Sequence, residues 1–209
     1  DSDEVENFLG SALAALARDT EARTAFERAI ALVPESAEVH SNHALSLLTT
    51  GDYQAGLAEY EWRLKLGSDA FSKFLTPMWD GAPLNGATIL LHAKQGFGDT
   101  LQFIRFAPLV AELSGRVILA CQEPLRRLLS GVAGVSEAIL LEGPAPEFEH
   151  HAALASPPHI LDVNPEKMPP AALLSGRVFG AAVGPSGDRL FQPSGWSGGR
   201  GSCSQSSDR

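Results

Sequence analysis

A helical first part followed by an α/β second part is predicted by a change of hydrophobic period along the chain. Over residues 3–66, small and large apolar positions recur at an offset of 34 residues with helical spacing. From Ile89 onward, short apolar runs bounded by turn residues alternate with helically spaced segments, the pattern of a parallel sheet covered by helices. Length and composition agree: 209 residues, 44% of them hydrophobic and 20% charged, supply the core of one or two domains. The expected class is therefore α + α/β, with helical repeats over 1–68, a connector over 69–88, an α/β unit over 89–174 and a tail over 175–209.

In the first part, Leu9, Gly10, Ala22, Phe26, Ala29 and Pro34 hold characteristic small and large positions of a helical pair. Shifted by 34, Gly10 falls on Ala44, Ala22 on Gly56 and Phe26 on Tyr60, so small stays small and aromatic stays aromatic. Paired helices approach closely only where the facing residues are small, and an aromatic ring fills the gap to the next pair. This spacing resembles the tetratricopeptide unit, of which the chain carries two. The turns are expected at Arg18-Asp19-Thr20 and Thr50-Gly51-Asp52, Gly51 being suited to a left-handed C-cap, and Pro34 ends the second helix. Two units are few for such an array, so further repeats or the next domain are expected to cover its ends. The aromatic pair Tyr60 and Trp62 reads as core and cap packing.

The connector reads PMWDGAPLNG from Pro77 to Gly86, too rich in turn residues for a regular element, with Trp79 as its anchor on one of the two domains. Strands are expected at Ile89 to Ala93, Val117 to Cys121 and Ala138 to Leu141, with a shorter fourth at Ala152 to Ala155. Helical spacing covers Leu101 to Leu113 and Pro124 to Leu129. The tail departs from all of this. Four Arg and two Asp leave it at +2, whereas 12 Lys/Arg and 23 Asp/Glu leave residues 1–174 at -11. Its Gly/Ser-rich text reads either as a disordered segment or as a shifted reading frame, and the chain as a truncated protein.

The net charge of -9 argues against general nucleic-acid binding. No apolar run is long enough for a membrane span, the stretch DSDEVENF lacks the basic and apolar regions of a signal peptide, and a cytoplasmic address is the default expectation. Cys121 and Cys203 make neither a metal spacing nor a disulfide framework, and Cys121 reads as a small core residue. No metal or cofactor is expected.

The stretch from Ile89 to Phe106, ILLHAKQGFGDTLQFIRF, is a strand, a glycine-containing loop and a helix start. In open α/β sheets this junction lies at the carboxyl end of a strand, where ligands bind and where the helix offers unpaired N–H groups. A dinucleotide fingerprint fails because Leu101 stands where a third glycine would fall, and the Gly-Lys-Ser/Thr ending of a phosphate loop is absent. What remains is Lys94, Gln95, Gly96 and Gly98 as candidate ligand contacts, with Asp99 as a helix cap, a catalytic acid or base, or both. With Gln102 three residues on, Asp99 has the sequence of a capping box. His92 reads as a core histidine. His150 is a further candidate for a substrate pocket; adjacent His150 and His151 point apart in an extended chain, which argues against a shared metal.

Two tetratricopeptide units, then PxWDGxPLxG, then LLHAKQGFGDTLQFIRF resemble bacterial tetratricopeptide-repeat proteins that carry a glycosyltransferase domain. That domain is similar to the family-9 glycosyltransferases, the lipopolysaccharide heptosyltransferase group, and more distantly to repeat-bearing O-linked N-acetylglucosamine transferases. The resemblance implies a GT-B fold of two facing Rossmann-like halves, of which residues 89–174 would be the N-terminal, acceptor-binding half. It implies that Gly98-Asp99 match the Gly-Asp pair whose acid is the general base, that the repeats take a protein or peptide partner, and that nucleotide sugar and acceptor are bound in a full-length form. Lys94-Gln95-Gly96-Phe97 replaces the serine pair of heptosyltransferases, so donor and acceptor identities are not implied. The alternative expectation is a non-catalytic interaction module in which the α/β unit is a scaffold.

Overall fold

The computed structural model describes residues 2–66 and 74–170. The expectations for the tail, and for the helix-breaking Gly67 and Ser68, lie outside these residues. The first part is two helical pairs: α1 (Ser2–Ala15) with α2 (Asp19–Leu32), then α3 (Ala37–Thr49) with α4 (Tyr53–Tyr60) and a 3-10 turn at Glu61–Lys65. The 34-residue offset carries each helix onto its counterpart. Gly10 sits where α1 crosses α2, since a Cβ there would stand 2.7 Å from the Phe26 ring; one at Gly56 would stand 2.8 Å from Leu48. Small residues are required because the helices touch.

The first turn lies earlier than expected. Asp19 already belongs to α2, and the chain reverses at Leu16-Ala17-Arg18, with Arg18 N–H donating to Leu13 O at 2.9 Å and Ala17 N–H to Ala14 O at 3.0 Å. The same two bonds close α3, from Asp52 to Leu47 and from Gly51 to Leu48. Both ends thus satisfy their last carbonyls through a left-handed residue, Ala17 in one case and Gly51 in the other. Trp62 stacks on the buried His40 at 3.8 Å and carries Lys65 over its other side, which is the core and cap packing expected of it.

The second part is a four-stranded parallel sheet of order β3-β2-β1-β4, made by β1 (Thr88–His92), β2 (Arg116–Cys121), β3 (Glu137–Leu140) and β4 (His150–Ala153). Helices α5 (Phe97–Phe103), α6 (Ala107–Leu113) and α7 (Glu123–Leu129) connect the first three strands. They cover the face that carries Ile89, Leu91, Val117, Leu119 and Cys121, against Ile104, Val110, Leu125 and Leu129. The opposite face, with Leu90, Ile118 and Ala120, packs against Phe74, Phe148 and Leu141. The strand order reverses between β1 and β4, the kind of switch point at which ligands bind in open parallel sheets.

Trp79 is buried in the core of the α/β unit; its indole N–H donates to Ala82 O at 2.8 Å and its backbone N–H to His151 O. The connector is therefore anchored on the sheet, with Met78 bridged to β4. A short helix, α8 (Pro157–Ile160), follows β4 and lies against α4. Among the described residues no helix is long and apolar enough to cross a membrane.

Candidate functional site at the strand-order reversal

The loop from Ala93 to Gly96 leaves β1 at the reversal and is held by hydrogen bonds from the neighbouring strand end. Gln122, directly after β2, donates from Nε2 to Ala93 O at 3.2 Å and to Gln95 O at 2.6 Å. Its Oε1 lies 3.1 Å from the hydroxyl of buried Thr100, which stands at the same distance from Gly96 O. One side chain thus ties both ends of the loop to the first turn of α5. Sequence reasoning passed over Gln122, although its place just beyond an apolar strand run marks it as facing the same end of the sheet as the loop.

Asp99 does not cap this helix. Helix α5 starts at Phe97, Gly96 is the N-cap residue, and no side chain makes a cap hydrogen bond, so the capping box with Gln102 is not formed. Asp99 occupies the third helical position, half-exposed, with one carboxylate oxygen 3.6 Å from where a Gly96 Cβ would stand. Neither Gly96 nor Gly98, the second residue of α5, is demanded by the chain itself. Gly96 has φ -62, and a Cβ on Gly98 would meet nothing within 4 Å. Both are exposed and leave an open approach to the loop backbone. Lys94 is exposed and Gln95 half-buried beside them.

A second polar network joins the helical part to the end of β4. Arg63, buried, donates from Nη2 to Ser156 Oγ at 2.7 Å and from Nη1 to Glu61 Oε1 at 2.6 Å and Tyr60 O at 2.8 Å. Ser156 Oγ in turn donates to Glu61 Oε2 at 2.8 Å. Ser156 follows β4, whose end is joined to β1 by Leu154 N–H donating to His92 O. The Tyr60 phenol is held above its ordinary range chiefly by burial, with Asp99 adding in the same direction. Nothing in the sequence announces this network, because Arg63 and Ser156 are 93 residues apart.

His92 and His151 form a buried pair on the face away from the covering helices, Nε2 to Nδ1 at 3.3 Å, with Phe74 against both rings. Burial, reinforced by His151 and Lys94, pushes the His92 imidazole down to about 3, and burial also lowers that of His151. His92 and Lys94 line a cavity of about 220 Å³ with Leu90, Ala120 and Ile139. His150 is placed elsewhere: it pairs with Ile89 at the start of β4, toward the amino ends of the strands, whereas Lys94 to Asp99 follow their carboxyl ends. Cys121 is fully buried, its thiol pushed up to about 11 by burial. No group of three or more metal-ligating side chains occurs among the described residues. Comparison with family models, with curated proteins and with solved structures finds no match to this chain.

Proposed function

We propose that the α/β unit is the acceptor-binding half of a nucleotide-sugar glycosyltransferase, with Asp99 as general base, and that the tetratricopeptide-like pairs are its protein-docking module. The observation that carries this reading is the open Ala93–Gly96 loop at the strand-order reversal, with a half-exposed carboxylate in the first turn of α5 and no intrachain demand for Gly96 or Gly98. In the transfer, the acceptor hydroxyl oxygen bonds to the anomeric carbon of the sugar. The bond from that carbon to the nucleoside diphosphate breaks, and the hydroxyl proton passes to Asp99. Such a base typically contributes about 10² to 10⁴ in rate. The donor half lies, in this reading, outside residues 89–170.

Backbone amide shifts of the protein, titrated with simple alkyl glycosides and separately with nucleoside diphosphates, test the assignment. Glycosides should move Gly96, Gly98 and Thr100, and Asp99→Asn, which leaves the fold intact, should abolish those shifts. Nucleoside diphosphates should bind no more tightly than the millimolar range, about 4 kcal/mol. Glycoside shifts confined to other regions, or micromolar nucleotide binding, would overturn it.

A further inference from the structure

We infer that Gln122 is the positioning residue of the candidate site: it holds the Ala93–Gly96 loop and the first turn of α5 in the form that takes a ligand, without itself meeting the ligand. The inference rests on the reading of this loop as an acceptor site. Gln122 is the N-cap residue of α7, a place where a side chain commonly accepts from the first turn of its own helix, yet it makes no cap hydrogen bond. Its amide is turned across the end of the sheet instead. Both Nε2 protons go to loop carbonyls, Ala93 O at 3.2 Å and Gln95 O at 2.6 Å, and Oε1 faces the Thr100 hydroxyl at 3.1 Å. Two carbonyl partners fix which end of the amide carries the nitrogen. A shorter residue such as Ser or Asn would suit the start of α7 better; the length of glutamine suits the loop.

The two ends of this amide act on different parts of the site. Ala93 is fastened to β2 by its own N–H, which donates to Ala120 O at 2.8 Å, and Gln95, two residues on, is drawn to the same strand end by Gln122. The oxygen acts on α5. Thr100 is buried, its N–H and its hydroxyl each lie 3.1 Å from Gly96 O, and it directly follows Asp99 in the chain. Loop and acid are thereby set on one frame. Gly96 and Gly98 carry no side chain that could hold the backbone by packing, and glycine has more conformations to lose than any other residue, so hydrogen bonds are what keep this stretch in one form. Without Gln122 every group that meets the ligand is still present, but loop forms that do not bind become populated, and the apparent affinity falls by the fraction that remains competent.

Two variants test this. Gln122→Met keeps the length of the side chain and removes all its hydrogen bonds, while Gln122→Glu keeps an acceptor for Thr100 and removes both donors. In the free protein, 15N relaxation dispersion should show conformational exchange confined to Lys94 through Gly98 in both variants and absent from wild type. Titrated with alkyl glycosides, both should bind about tenfold more weakly than wild type, and the exchange should vanish at saturation as the ligand selects the wild-type loop form, a response that a purely structural role would not give. Gln102→Met, exposed on α5, should resemble wild type. A loop without exchange in both variants overturns the inference, and so does unchanged glycoside affinity. Weaker binding with a quiet loop would make Gln122 a ligand contact instead and overturn it as well. A wild-type protein whose loop amides glycosides do not move would sink the acceptor reading, and the relaxation of the free variants then decides by itself whether Gln122 sets the loop.

Discussion

At Ala17 the backbone holds φ +54°, a left-handed conformation in which a Cβ crowds its own carbonyl. Its counterpart one repeat later is Gly51 at φ +87°, where no Cβ exists to be crowded. The hydrogen bonds that close the two helices are the same, so the difference between the residues is steric. Ala17→Gly should stabilise the protein by about 0.5 to 1 kcal/mol, because the relieved strain exceeds the added freedom of the unfolded chain. Gly51→Ala should cost a similar amount. Urea unfolding of the two variants measures both signs, and equal destabilisation by each would show that Ala17 is unstrained. The sequence placed this turn two residues late because Arg-Asp-Thr carries turn chemistry whereas an alanine announces no left-handed bend. Gln122 escaped for a related reason: its role is defined by the carbonyls it meets, not by its neighbours in the chain.

Strands β1 and β4 share the His92–His151 pair, and the pair makes the sheet sensitive to acid. In the folded protein His92 is neutral down to about pH 3, whereas in the unfolded chain it gains a proton below its ordinary value of 6.5. The unfolded state therefore binds more protons within that window. The stability from this group is complete above pH 6.5, falls as pH drops from 6.5 toward 3, and levels off below. Each pH unit in the window removes up to about 1.4 kcal/mol. His151 and His43, both lowered by burial, act in the same direction. Urea midpoints at pH 7, 6, 5 and 4 should fall progressively, and His92→Leu should flatten the decline; an unchanged slope would place the acid sensitivity elsewhere. All four strands were legible to within about two residues, β1 and β2 because a strand buried on both faces writes itself as continuous hydrophobic text. The pairing of two histidines 59 residues apart was not, because it depends on β4 returning beside β1 rather than beside β3.

The helical and α/β parts are coupled by the Arg63, Glu61 and Ser156 network. The Arg63 side chain is buried and Glu61 partly exposed, so removing the guanidinium leaves a carboxylate with only partial access to water. Arg63→Met, which keeps the apolar stem, should cost about 2 to 4 kcal/mol. The loss should fall on the joint, so that calorimetric melting splits from one transition into two. A single transition at the wild-type temperature would mean that α4 and α8, rather than this network, hold the parts together.

By itself the sequence determined the two regimes, the 34-residue register, the strands, the anchoring role of Trp79 and the glycine loop before α5. Each of these is local or periodic, written in the spacing of side chains that must be buried together. Tertiary structure decided the strand order, and with it the placement of Asp99 at the reversal and of His150 at the far end of the sheet. It moved Asp99 from cap to third helical position and brought Arg63 to Ser156. These outcomes depend on contacts between residues distant in the chain, whose geometry no local pattern encodes.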